Sequence, residues 1–146
     1  MSSSEFILSA ILVVLVHEIG HAVAQRLCGI PVERIVWGRG PLLFRLGALE
    51  VRLVPFSGYV LPVGVLQARR RWQGVMIAAA GTLATWAVAA ALIVTHAARL
   101  GDFFLGWVFW SVVGLVQLLP IRQRDGWWVL VALGVLPRPV KNEKGV

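Results

Sequence analysis

Three apolar stretches, residues 6–28, 72–95 and 103–119, constrain this 146-residue chain more than any other feature. Segments of this kind read as membrane spans, because the hydrocarbon core demands about 20 apolar residues per helix. The third is the shortest, about 25 Å long at the helical rise. Hydrophobic residues make up 58% of the chain and charged residues 14%, with mean hydropathy +0.79. After the third stretch, PIRQRDG breaks the pattern, and residues 127–136 are too few to cross a bilayer unaided. They suit a short re-entrant or interfacial helix. The predicted fold class is an all-α polytopic membrane protein, with a three-span core and that short C-terminal helix in a single domain, residues 1–146.

The formal net charge is +7. Nucleic-acid binding is not the explanation, because no recognised binding motif accompanies the charge and the arginines sit between apolar stretches, at headgroup level. Of the fourteen Lys and Arg residues, only Arg99 lies between the second and third stretches. The positive-inside rule then puts the N-terminus outside and the long loop and C-terminal tail in the cytoplasm, as for a bacterial inner-membrane protein in contact with the lipid bilayer. MSSSE carries no basic n-region, so the first stretch reads as a retained span and not a signal peptide. The single cysteine, Cys28, excludes an intrachain disulfide and a cysteine-based zinc site.

The loop of residues 30–70 has its own pattern. LLFRL, a turn at Gly47, and LEVRLV alternate as a small membrane-associated β-hairpin, ended by Pro55 and Gly58. Two readings stand side by side: an amphipathic hairpin on the membrane surface, or a strand edge open to an extended peptide.

Within the first stretch, VLVHEIGHAVAQ places His17, Glu18 and His21 in an apolar run. Ionisable groups there are costly and mark functional sites. Spacing of four puts both imidazoles on one helical face, one turn apart, where they can grip one metal ion. Glu18 is badly placed as a third ligand and well placed to act as general base, which is the logic of HExxH. A bis-histidine haem is excluded, because i, i+4 neighbours cannot approach from opposite faces. His96 falls near the other membrane surface and reads as interfacial. A catalytic zinc needs one more protein ligand. Asp125 is the preferred candidate, since the Pro120 break lets the chain turn back into the protein. A solvated aspartate beside Arg122 and Arg124 is the bland alternative.

The sequence resembles the site-2 protease family of intramembrane zinc metalloproteases. HEIGH matches the family's HExxH, and VWGRGPLLFRLGALEVRLVPFSGYV resembles its glycine-containing loop and strands. AAAGTLATW falls where the family has A-A-G-P-x-x-N, and QLLPIRQRDG where it has N-x-x-P with a downstream D-G. The resemblance implies one Zn2+ per chain, held by His17, His21 and Asp125, with Glu18 catalytic. It implies hydrolysis of a peptide bond in a single-span membrane protein substrate, as in regulated intramembrane proteolysis. Thr82 stands at the family's proline, Thr85 at one asparagine and Gln117 at the other. Those asparagines serve substrate or oxyanion, so Gln117 and Thr85 are the corresponding candidates here. The length leaves no room for the PDZ domain of many relatives, which implies a minimal core. The principal alternative is a catalytically silent zinc-binding relative acting as a membrane scaffold or binding protein. A zinc transporter is a weaker one, since no second polar span forms a relay.

Overall fold

The computed structural model describes residues 3–63, 70–95, 101–121 and 124–136. His96, Arg69, Arg99, Arg122 and the tail from Pro137, with its basic residues, lie outside the described residues. The elements in chain order are α1 (Ser3–Leu27), β1 (Val32–Leu46), β2 (Leu49–Pro62), α2 (Arg71–Val94), α3 (Asp102–Gly114), a 3-10 turn (Leu115–Leu118) and α4 (Asp125–Leu133).

The all-α, three-span class predicted from hydropathy is not what the chain forms. Among the described residues two helices, α1 with 25 residues and α2 with 24, are long and apolar enough to cross a membrane. At about 1.5 Å per residue each covers some 36 Å, more than the roughly 30 Å hydrocarbon core. The third stretch does not continue as one α-helix. Its α-helical part is 13 residues, about 20 Å, before it tightens into the 3-10 turn after Gly114. The strands contribute 15 and 14 residues, which is too much sheet for an all-α description. The error has a physical source: hydropathy reports solvent preference and carries no information on where a helix changes pitch.

α1 has Glu5 in its first turn and Arg26 in its last, each complementing the helix dipole. α2 begins where the Gln73 side-chain oxygen accepts the Arg70 backbone N–H at 3.0 Å. α4 ends in a Schellman-type closure, with Gly134 N–H donating to the Val131 carbonyl and Val135 N–H to the Leu130 carbonyl. α1 packs on α2 where Gly20 meets Ala80 and Ala84, a contact between small residues that brings the backbones close. On its other side α1 meets α3 through Phe6, whose ring centroid lies 5.4 Å from those of Phe109 and Trp110. Val13, Ala89 and Trp107 form the buried centre between the three helices.

β1 and β2 make a two-stranded antiparallel sheet with an irregular register. Ile35, Val36 and Trp37 have partners both at Val60, Tyr59 and Gly58 and at Leu49, Glu50 and Val51. β1 therefore bends sharply. The bend falls at Gly38, where φ is +102° and the Arg52 and Val54 carbonyls leave no room for a side chain. Folding the ribbon on itself buries Val36 and Glu50 completely and lays the C-terminal half of β2 against α1.

Candidate metal centre

His17 and His21 project from one face of α1 toward α2 and the start of α4. The His21 Nδ1–H donates to the Ile77 carbonyl of α2 at 2.7 Å. That bond places a proton on Nδ1, so it is Nε2 that the neutral ring offers as a ligand. Asp125, the first residue of α4, is carried in by the turn that follows Pro120. Its Oδ2 lies 3.1 Å from His17 Nε2 and 3.4 Å from His21 Nε2, and the two Nε2 atoms are 3.1 Å apart. All three residues are partly buried.

These separations fit a metal. Ligand atoms at zinc–ligand distances of about 2.0–2.1 Å in tetrahedral geometry stand about 3.3 Å from one another. The chemistry of the donor set agrees. In the neutral Nδ1–H form, the His21 Nε2 lone pair and the Asp125 carboxylate oxygen face each other 3.4 Å apart, an arrangement that a cation resolves. Gly81 of α2 supplies the space. A Cβ in place of its hydrogen would lie 2.5 Å from His21 Nε2 and 2.6 Å from His17 Nε2, in the cradle between the ligand atoms.

Glu18 follows His17 by one residue and so faces away from α2, toward the sheet. It is buried, and Gly58 of β2 lies directly over it. The site thus has four walls: α1 with His17, Glu18 and His21, α2 with Gly81, α4 with Asp125, and β2 with Gly58.

The structure does not bring the other two sequence candidates into this cluster. Gln117 is exposed on the 3-10 turn, and its side chain makes no hydrogen bond among the described residues. Thr85 is buried one turn beyond Gly81. Its hydroxyl donates to the Thr82 carbonyl at 2.8 Å, and its carbonyl accepts the Trp107 indole N–H at 3.1 Å. Sequence reasoning missed the close approaches at Gly58 and Gly81 and the Ile77 carbonyl. A glycine leaves no periodic signal, and a backbone acceptor leaves none at all.

Two imidazoles one turn apart and a carboxylate from a distant helix form a group that could hold a metal ion, with a glutamate beside the first histidine as in the HExxH pattern of zinc hydrolases. The chain belongs to peptidase family M50, the site-2 protease family: residues 5–101 match the family. It is 40% identical over 73 residues to a Chlamydia pneumoniae protein provisionally named a zinc metalloprotease, covering 45% of this chain and 12% of that protein. A Clostridium perfringens protein with the same provisional name is 34% identical over 89 residues, covering 52% of this chain and 27% of the relative. A third, from Chlamydia trachomatis, is 31% identical over 113 residues, 58% of this chain and 18% of its own length. The chain spans less than a third of each of these relatives.

Proposed function

We propose that this chain forms the catalytic core of an intramembrane zinc metalloprotease that hydrolyses a peptide bond of a single-span membrane protein. The observation that carries the reading is the convergence of His17 Nε2, His21 Nε2 and Asp125 Oδ2 to within 3.4 Å of one another with Glu18 alongside. These three atoms would hold one zinc per chain. The chemistry a bound zinc supplies is that of a Lewis acid, acidifying water to a pKa of about 7 and polarising a carbonyl oxygen.

His21 is kept in the ligating tautomer by Ile77, and Asp125 supplies the anionic donor. Glu18 takes a proton from the attacking water as its oxygen adds to the scissile carbonyl, then delivers that proton to the amide nitrogen as the C–N bond breaks. Gly58 and its strand exclude bulk water from Glu18. Beyond β1, the C-terminal half of β2 has no strand partner among the described residues, so an unwound substrate segment can pair with it beside Glu18. Gln117, on the exposed turn leading to Asp125, is the amide available to substrate. The Thr85 hydroxyl is committed to its own helix. In orientation, α1 starts outside and the sheet lies on the cytoplasmic side of a bacterial inner membrane.

The test is co-expression with candidate single-span proteins, comparing wild type with Glu18→Gln and following zinc content in both. Glu18→Gln should abolish cleavage and retain zinc, whereas Asp125→Ala should lose both. Cleavage by Glu18→Gln at the wild-type rate would overturn the assignment. The second reading, a silent zinc-binding scaffold, draws on Thr82, Thr85 and Gln117 at the family's proline and asparagine positions. It predicts zinc binding with no substrate cut by wild type.

A further inference from the structure

The hairpin carries a feature that the proposed reaction does not use. Glu50 is fully buried although it lies on a two-stranded ribbon, because arginines enclose it. Arg45 Nη2 donates to its Oε2 and Arg52 Nε to its Oε1, both at 2.9 Å, and Arg34 Nη1 stands 3.6 Å from Oε2. Residues 32–54 hold four arginines (34, 39, 45 and 52) against two glutamates, Glu33 and Glu50, so the enclosure leaves excess positive charge. Arg45 spends one donor of five on Glu50 and is half exposed, and Arg39 is exposed on the bend.

The two sides of the ribbon differ. Arg45 is directly opposite Glu50, and Arg52 is two residues along, so all three share a face. Phe44, Leu46 and Leu53 alternate onto the other face and are 55%, 72% and 57% exposed. Large apolar side chains presented together on a surface need a partner. Aliphatic and aromatic groups on one face, with guanidinium groups pinned in place on the other, match the acyl boundary and the phosphate layer of a bilayer. Guanidinium groups suit that layer, because each can donate two parallel bonds to one phosphate. Proximity supports this occupant: β1 begins only five residues after α1, a helix of membrane-crossing length.

We propose that the β1–β2 hairpin is an anionic-phospholipid docking surface, with Phe44, Leu46 and Leu53 in the acyl boundary and Arg39, Arg45 and Arg52 on headgroup phosphates. The Glu50 enclosure fixes Arg45 and Arg52 relative to each other before any lipid arrives. Binding to such lipids holds the sheet, and with it Gly58, at a set height over the site.

The experiment is hydrogen–deuterium exchange on the full-length chain in nanodiscs of phosphatidylcholine with increasing phosphatidylglycerol. Backbone amides of residues 39–54 should become protected as phosphatidylglycerol rises. The content needed for half-maximal protection should increase about fivefold for Arg39→Gln, which lies outside the Glu50 enclosure, from about 1 kcal/mol per surface arginine. Arg45→Lys, which keeps a cation near Glu50, should shift it less than Arg45→Gln. Equal protection in neutral and anionic discs would overturn the proposal, and so would an unshifted Arg39→Gln. Protection by inorganic phosphate alone in neutral discs would reassign the arginines to a soluble anion. Protection that appears only with a peptide substrate would reassign the face to protein.

Discussion

Gly58 and Glu18 are packed so closely that a Cβ on the glycine would stand 2.5 Å from Glu18 Cγ and 2.9 Å from Cδ. The strand and the carboxylate therefore fix each other's position, although no side chain of residue 58 exists to report it. Gly58→Ala should push β2 off the site or turn Glu18 out of line. Misplacement of a catalytic group by about 1 Å costs roughly a hundredfold in rate. Cleavage assays should show a loss of that order with zinc content unchanged, and a variant cutting at the wild-type rate would show that strand and glutamate move independently.

Gly81 makes the converse case, in which the metal itself is at stake. A methyl group there would occupy the cradle between the two Nε2 atoms. Gly81→Ala should lower zinc affinity by about a hundredfold, at the upper end of what disturbing a ligand's surroundings does. Helicity should be unaffected, because alanine is the better helix former. Metal analysis after dialysis against a weak chelator, with circular dichroism as the fold control, measures both. Full zinc retention would mean that the ion sits away from α2.

Trp107 reports on the packing that holds α1, α2 and α3 together. It is buried against Val13 and Ala89, and its indole N–H reaches the Thr85 carbonyl. Trp107→Phe should cost about 1 kcal/mol from the lost hydrogen bond. Trp107→Ala should cost about 3–5 kcal/mol from the lost contacts and the cavity. Thermal unfolding in detergent should rank the variants in that order.

The Glu50 enclosure gives the hairpin a pH dependence of definite sign. The hydrogen bond from Arg52 contributes most to holding the carboxyl below its ordinary value of 4.5, and the bond from Arg45 acts in the same direction; together they outweigh the burial that pushes it up. A group depressed on folding stabilises fully above its unfolded pKa, and that stability is lost as pH falls through the folded value. Exchange of residues 34–54, corrected for its intrinsic pH dependence, should stay level from neutral pH down toward 4.5 and rise below it. Glu50→Gln should raise it already at neutral pH. A profile that instead loosens toward alkaline pH would contradict this account.

Much of the site could be seen in the sequence because polar groups in an apolar run have so few explanations. Spacing of four puts His17 and His21 on one face, and the Pro120 break gives Asp125 a route back to them. The sheet was legible only in outline. Alternation marked the hairpin, but the bend at Gly38 and the doubled register of Ile35 to Trp37 decide which charges meet, and neither has a periodic signature. That is why nothing in the sequence marks Glu50 as the centre of an arginine cluster. The third apolar stretch misled for another reason: an α-helix and a 3-10 turn are equally apolar, and their difference lies in hydrogen bonding.

In polymer terms, the contact between His17 and Asp125 closes a loop between residues 108 positions apart in sequence. The entropy of closing such a loop grows only with the logarithm of its length, by about 0.6 kcal/mol per doubling. The connection between α2 and α3 could therefore accept a flexible Gly/Ser segment of many residues while His17, His21 and Asp125 stay within reach of one ion. Architecture of this kind leaves room for added parts between its helices, with the centre itself unchanged.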